Sequence, residues 1–127
     1  MRGEPDLLRL LRTGRPGEYA VVPPVVAEIE YGIQRLEPAS RKRRLLEVQR
    51  NRYLEVLRQI PWDDESSQNY GTIKANLEKR GELIDDFDIA IAAIALSHDA
   101  EVITANLAHF KRVTGLACRH WTDRTTE

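Results

Sequence analysis

The sequence predicts an α/β fold in which a central parallel sheet is flanked by helices. Short runs of β-branched and apolar residues, such as Tyr19–Val22 and Glu101–Thr104, alternate with longer segments of helical periodicity. This alternation favours a parallel sheet, because each helix carries the chain back to the start of the next strand. The chain has 127 residues, of which 42% are hydrophobic, so residues 1–127 are expected to form a single domain with one core.

The first half of the chain is predicted to begin with a short helix over Glu4–Arg12. The strand Tyr19–Val22 follows, and Pro23 suits the start of the next helix, because the fixed φ and missing N–H of proline cost little in a first turn. That helix is expected to run from about Val25 to Leu36. A longer helix over about Ala39–Arg58 is predicted to carry its apolar stripe on Leu45, Val48, Leu54 and Leu57.

The second half is predicted to contain two helices and two strands. Asp63 or Asp64 is expected to cap a helix that closes at Gly81. The segment Asp86–His98 is apolar nearly all round, which indicates a helix that is buried on most sides. The last two strands are expected over Glu101–Thr104 and Leu116–Arg119.

Composition excludes several classes of protein. The net charge of −1 lacks the global basic character of many nucleic-acid binders, although Arg41–Arg44 forms a local basic patch and Lys74, Lys79 and Arg80 form another. The single cysteine, Cys118, is expected to be a buried apolar residue rather than a disulfide or zinc ligand. The most apolar stretch is far shorter than the roughly 20 residues that span a bilayer, so a cytoplasmic location is expected.

Glu28 is the first candidate for chemistry. Glu28 and Glu30 lie about 200° apart on a helix, so one of the two is expected to point toward the sheet. Glu28 shares a face with Gly32, and a glycine one turn away leaves room for a ligand beside the carboxylate. On the residues alone, a glutamate in such a place is more often a solvated helix residue.

Two further candidates lie at element ends. Asp85, Asp86 and Asp88 open the buried helix, where acidic residues cap free N–H groups and favour the positive end of the helix dipole. Capping needs one or two acids, so Asp88 is the candidate for function. Asn106 follows a predicted strand, where a turn alone would explain it, but where α/β sheets also gather ligand sites.

Taken together, these carboxylate and amide oxygens are hard ligands suited to Mg²⁺ or Mn²⁺. Such a cation promotes the hydrolysis of phosphodiesters by lowering the pKa of bound water and by neutralising charge on the phosphate. The sequence therefore predicts a metal-dependent site that needs no cysteine, histidine or serine nucleophile.

Four segments in order carry a family resemblance over nearly the whole chain: Val26–Gly32, Ile84–Ala93 after Gly81, Val102–Asn106 with Phe110, and Gly115–Leu116 with Trp121. Together they resemble the PIN domain family, and within it the VapC-like toxins of type II toxin–antitoxin pairs. The resemblance implies a PIN-like three-layer fold and a metal site lined by Glu28, Asp88 and Asn106. It leaves Asp86 as a weaker candidate, either a second ligand or the cap.

The sequence departs from this family at its start. The resemblance implies a first apolar strand that is central in the sheet and ends in a metal-binding aspartate, whereas no such strand precedes Asp6. We therefore expect the first central strand and its aspartate to be absent from this chain, the two inner strands to lack partners, and the domain to be incomplete at its N-terminus.

Two functions from different classes follow from the resemblance. The first is a Mg²⁺-dependent or Mn²⁺-dependent endoribonuclease acting on RNA, with a VapB-like antitoxin and a second copy of the chain as partners. Its activity could be lost with the missing aspartate. The second is a catalytically inactive binding module that keeps the antitoxin surface. A nuclease that acts on DNA is a third possibility, because only contacts to the 2′-OH separate the two sugars.

Overall fold

The computed structural model describes residues 9–14 and 18–122, and these form a mixed sheet flanked by helices. The sheet has the order β3-β2-β1-β4-β5. Its strands are β1 (Leu10–Arg12), β2 (Tyr19–Val21), β3 (Arg58–Gln59), β4 (Glu101–Thr104) and β5 (Cys118–His120).

The helices lie between the strands, as the alternating sequence pattern predicts. They are α1 (Pro23–Gln34), α2 (Arg41–Val56), α3 (Asp64–Lys79), α4 (Asp86–Ser97) and the short α5 (Leu107–Phe110). Parallel pairing joins β2 to β3 and β4 to β5, with a crossover that contains helix in each case. The α/β fold class is thus confirmed. Within the two described ranges, each helix is too short or too polar to cross a membrane.

The centre of the sheet differs from the sequence-based expectation. β1 lies between β2 and β4 and runs antiparallel to both, pairing Leu11 with Ala20 on one side and with Val102 on the other. Both inner strands therefore have partners. The helix predicted over Glu4–Arg12 is wrong for Arg9–Arg12, and residues 4–8 lie outside the described residues. Pairing on two sides and complete burial of Leu11 override the helical preference of leucine.

The direction of β1 determines which of its ends lies beside the carboxyl end of β4. Leu10 pairs with Ile103, and Arg12 pairs with Glu101. Because the two strands run in opposite directions, β1 begins beside the carboxyl end of β4. Arg9, the residue before β1, therefore lies near the carboxyl end of β4.

Helix α4 is the centre of the core. Apart from Asp88, its buried side chains are all apolar: Ile89, Ile91, Ala92, Ala93, Ile94 and Ala95. Helix α3 packs most extensively against α4, and α1 also contacts it. In the part of the chain that the structure describes, only three polar side chains are buried: Ser66, Asp88 and Thr104.

Helix α2 packs with a face other than the predicted one. Leu45 and Val48 are both 61% exposed, whereas Leu46 is buried. Arg50 on this inner side donates to Glu30 of α1 at 2.5 Å. The predicted stripe is wrong for Leu45 and Val48, because α2 packs with the side that carries Leu46 and Arg50, and hydrophobicity alone does not reveal the ion pair of Arg50 with Glu30.

A capping box fixes the start of α3, as the acidic pair at this position predicts. The Asp63 carboxylate accepts from the Ser66 backbone N–H at 2.8 Å, and the Ser66 hydroxyl lies 3.3 Å from the Asp63 backbone nitrogen. Ser66 also lies 3.1 Å from the hydroxyl of Ser97 at the end of α4. The cap thus ties α3 to the core helix.

The central position of β1 predicts unequal effects of two neighbouring truncations. Leu11→Ala should lower the free energy of unfolding by about 2–5 kcal/mol, because it leaves a cavity in a fully buried site. Leu10→Ala should cost clearly less, because successive side chains of a strand point to opposite faces and Leu10 is only partly buried. Urea denaturation measures both values, and equal losses would contradict the strand.

The capping box predicts a pH-dependent contribution to stability. Hydrogen bonds from Ser66 lower the pKa of Asp63 below its ordinary value of 3.8. The stabilisation is therefore present above that value and is lost as the pH falls through the lower folded-state pKa. Asparagine also caps helices but does not titrate. The advantage of the wild type over Asp63→Asn should vanish in acid.

Thermal unfolding between pH 2 and 7 measures this difference. The advantage is expected to be modest, because the Asp63 side chain is 41% exposed. Asp64→Asn removes an adjacent charge without touching the capping box and serves as the control. A constant difference between the wild type and Asp63→Asn across the range would contradict the prediction.

Candidate active site

Two carboxylates from different helices meet at one guanidinium group. Arg9 donates through Nη1 to Oδ1 of Asp88 and through Nη2 to Oε1 of Glu28. The Arg9 side chain is 14% exposed and that of Asp88 is 2% exposed. Glu28 and Asp88 thus lie on two sides of a single cation, at the edge of the sheet where β4 ends.

Glu28 reaches this position from the middle of α1. Val22 is the N-cap of α1, and prolines occupy its first positions, as Pro23 and Pro24 predict. Glu28 bonds Arg9, whereas Glu30 bonds Arg50 of α2, so the two acids do serve different sides of the helix. A Cβ added at Gly32 would meet no atom within 4 Å, which leaves open space one turn beyond Glu28.

The three aspartates at the start of α4 have three different environments. Asp85 is the N-cap and accepts from the backbone N–H of Phe87 at 2.7 Å. Asp86 is exposed and lies 3.1 Å from the Nζ atom of Lys74. Asp88 alone turns inward, to Arg9. Asp86 therefore does not join Glu28 and Asp88 in this structure.

Asn106 is connected to Asp88 through His109. The Nδ1 atom of His109 lies 3.2 Å from Oδ2 of Asp88 and 2.8 Å from the side-chain amide of Asn106. The backbone N–H of Asn106 donates to the buried Thr104 hydroxyl at 2.8 Å, which fixes the turn after β4. Glu28, Asp88 and Asn106 thus belong to one connected network, in which Asn106 is the most distant member.

The His109 contacts depend on where its proton lies. A single ring nitrogen cannot donate to Asp88 and accept from the Asn106 amide at the same time. With Nδ1 protonated, His109 satisfies Asp88, and Asn106 is best served by turning its oxygen toward the ring. With Nδ1 unprotonated, the ring accepts from Asn106 and leaves Oδ2 of Asp88 without this donor. A His109 ring that carries a proton on Nδ1 therefore suits the Asp88 carboxylate.

The charge at this site is incompletely balanced. One guanidinium offsets one of the two carboxylates, and a buried ionised group that loses its partner typically costs about 3–5 kcal/mol. Burial raises the pKa of Glu28 above its ordinary value of 4.5, and this effect exceeds the opposing influence of the Arg9 charge. The nearby Asp88 charge raises the pKa of Glu28 further. The site therefore favours additional positive charge.

The donor set fits a divalent cation in chemical kind. Carboxylate oxygens are the ligands that Mg²⁺ and Mn²⁺ prefer, and two carboxylates match the charge of such an ion. Among the residues that the structure describes, however, no group of three or more His, Cys, Asp and Glu side chains is arranged to hold a metal. The position between the two carboxylates belongs to the Arg9 side chain.

Two members of this site were not predicted from the sequence. His109 lies three residues after Asn106, and this spacing within one short turn could have signalled a shared site. Arg9 had no comparable local signal, because it reaches the site only through the antiparallel entry of β1.

The predicted basic patches are largely engaged in contacts within the protein. Arg43 bonds Gln34, Glu47 and the Leu36 carbonyl, which joins α2 to the end of α1. Arg80 donates to the carbonyl of Arg112, and Lys74 pairs with Asp86. Arg41 and Lys42 are exposed. RNA contact by these patches stays a prediction.

Comparisons with known proteins identify the family of the chain. The PIN domain family model matches residues 2–116. Ribonuclease VapC2 from Haemophilus influenzae is 33% identical over 105 residues, which are 83% of this chain and 76% of the relative. The tRNA(fMet)-specific endonuclease VapC from Shigella flexneri is 25% identical over 105 residues, with the same shares of each chain.

Solved structures show the same fold. VapBC2 from Rickettsia felis, bound to a DNA fragment from its promoter, matches with a TM-score of 0.72 and 28% identity, over 80% of this chain and 74% of the other. VapBC-1 from nontypeable Haemophilus influenzae matches with a TM-score of 0.73 and 25% identity, over 82% and 75% of the two chains. The chain belongs to the PIN domain family and is similar to its VapC members.

Proposed function

We propose that this protein is a metal-dependent endoribonuclease, the VapC-like toxin of a toxin–antitoxin pair, which hydrolyses phosphodiester bonds in RNA. One observation carries the proposal: Glu28 and Asp88, on separate helices, converge on the guanidinium group of Arg9 at the carboxyl end of β4. The names of the relatives support RNA as the substrate, since they are a ribonuclease and a tRNA-specific endonuclease.

A divalent cation, Mg²⁺ or Mn²⁺, would supply the chemistry by lowering the pKa of water and by neutralising charge on the phosphate in the transition state. Glu28 and Asp88 are the residues proposed to hold it, with Asn106 as a further oxygen donor. The two oxygens of Asp88 have different partners, because Oδ2 faces His109 while Oδ1 faces the position that the Arg9 guanidinium occupies. His109 is thus a positioning residue that orients the Asp88 carboxylate.

A VapB-like antitoxin is the partner that we propose. Support comes from the structural neighbours, which are VapBC assemblies, and from apolar side chains that α2 leaves in solvent. Leu45, Val48 and Val56 are between 61% and 74% exposed. The same surface would also suit a second copy of the chain, so a homodimer belongs to the proposal.

The alternative is a catalytically inactive binding module for an antitoxin. The position of Arg9 favours this alternative, because the guanidinium takes the place that a metal ion would need. The two functions make opposite predictions for RNA cleavage by the purified protein. Antitoxin binding without RNA cleavage at any Mg²⁺ or Mn²⁺ concentration would favour the binding module.

The nuclease proposal predicts loss of activity on two isosteric substitutions. With structured RNA such as total tRNA and millimolar Mg²⁺ or Mn²⁺, Glu28→Gln and Asp88→Asn should each lower the cleavage rate by at least about a hundredfold, the scale of losing one preorganised electrostatic group. Fragment yields on denaturing gels measure the rate, and circular dichroism checks folding.

Asp86→Asn is the matched control, because it removes a carboxylate from the same turn of α4 that pairs with Lys74 outside the network. Its cleavage rate should stay close to that of the wild type. A loss equal to that of Asp88→Asn would contradict the assigned site, and no cleavage by the wild type would contradict the enzyme.

The positioning role of His109 predicts graded losses. His109→Ala should lower kcat/KM roughly 10-fold to 100-fold, because Asp88 loses the group that orients Oδ2. His109→Gln should retain more activity, since its amide can donate to the same oxygen. Steady-state kinetics with a short RNA substrate measures both variants. Equal activity of the two would show that the contact with Asp88 is not what matters.

A further inference from the structure

Arg9 has the surroundings of a substitute cation. Two carboxylates bind its terminal nitrogens, and one of them, Asp88, is almost completely buried. Its Nε atom is buried and has no hydrogen-bond partner among residues 9–14 and 18–122. The terminal nitrogens of the guanidinium are therefore held by two carboxylates, whereas its Nε atom makes no hydrogen bond. Because the buried Nε atom would gain a partner in water, moving the side chain out of the site costs less.

The topology delivers Arg9 to this place. Leu10 pairs with Ile103 in antiparallel register, so the residue before β1 arrives where β4 ends and where the turn to Asn106 begins. The long side chain then reaches across to α1 and α4. It could leave the carboxylates by rotation about its own bonds, without any change in the pairing of β1.

We propose that Arg9 is an internal counter-ion that occupies the cation position of this site and must withdraw before a divalent metal ion binds. This inference rests on the proposed function for the identity of the site. It adds a regulatory contact within the chain: the segment that enters the centre of the sheet controls metal occupancy through one side chain.

Charge explains why the exchange is feasible. Arg9 supplies one positive charge to two carboxylates, whereas a divalent ion supplies two. The metal therefore binds the Arg9-out state and shifts the population toward it. Its apparent affinity is reduced by the fraction of molecules in that state, so removal of the guanidinium should strengthen metal binding.

Titration with Mn²⁺ alone, followed by electron paramagnetic resonance of the free ion, measures this effect. Arg9→Ala should bind Mn²⁺ at least about tenfold more tightly than the wild type, as expected if fewer than about a tenth of wild-type molecules are in the Arg9-out state. Thermal unfolding provides a second readout. Without metal, Arg9→Ala should melt below the wild type, and Mn²⁺ should raise its Tm by more.

Two variants serve as controls. Arg12→Ala removes another arginine of the same segment, one that pairs with Glu101 at the other end of β1, and its Mn²⁺ affinity should match that of the wild type. The double variant Arg9→Ala/Glu28→Gln should lose the gain in affinity, because one of the two carboxylates is neutral. If the double variant keeps the gain, the metal binds elsewhere and the proposal is overturned.

Equal Mn²⁺ affinity in Arg9→Ala and the wild type also overturns it, and so does the absence of binding in both. If Arg9→Ala does not fold, Arg9→Lys replaces it. A lysine ammonium lacks the planar fork by which a guanidinium donates to two carboxylates from separate nitrogens, so Arg9→Lys should hold the pair less firmly and should still bind Mn²⁺ more tightly than the wild type.

RNA cleavage assays on the same samples separate this proposal from the nuclease proposal. Tighter Mn²⁺ binding by Arg9→Ala with no cleavage by any variant supports the counter-ion and overturns the enzyme. Cleavage by the wild type together with unchanged affinity in Arg9→Ala supports the enzyme and overturns the counter-ion.

Discussion

Asp88 carries a negative charge into a helix whose other buried side chains are all apolar, and that charge has to be balanced inside the protein. The balance comes from Arg9, with His109 on the second carboxylate oxygen. Arg9 can reach Asp88 only because β1 enters the sheet antiparallel to β4. The direction of the central strand, the position of Glu28 and the turn after β4 are therefore linked to one buried carboxylate.

The elements that the sequence predicted well are those with strong local signals. Three such signals each depend on a few neighbouring residues: the continuous apolar run of α4, the prolines at the start of α1 and the acidic cap of α3. Each of these features is found where it was expected. Two of the errors have a tertiary origin. Leu10–Arg12 forms a strand because partners exist on both sides. α2 packs with the side that carries Leu46 and the ion pair of Arg50 with Glu30, which leaves Leu45 and Val48 outward.

The candidate site divides in the same way. Glu28, Asp88 and Asn106 were singled out from their chemistry and their places at element ends, and the fold connects them in one hydrogen-bond network. Their role as metal ligands stays a prediction. Arg9 was not predicted because its contribution depends on the register and direction of β1, and no pattern within the first residues encodes either. Asp86 shows how fine the distinction is, since two positions along a helix separate an exposed ion pair from a buried one.

The mixed sheet also bears on how the protein folds. β1 and β2 are consecutive strands that pair antiparallel across a short connection, so their contacts are local in sequence, whereas on its other side β1 pairs with β4, which lies far along the chain. The parallel pairs on either side each require a crossover to close first, over α1 and α2 for β3 and over α5 for β5. Local contacts close faster than distant ones. Contact order therefore favours early pairing of β1 with β2, whereas the bond between Arg9 and Asp88, 79 residues apart, forms only when the distant part of the chain has joined the sheet.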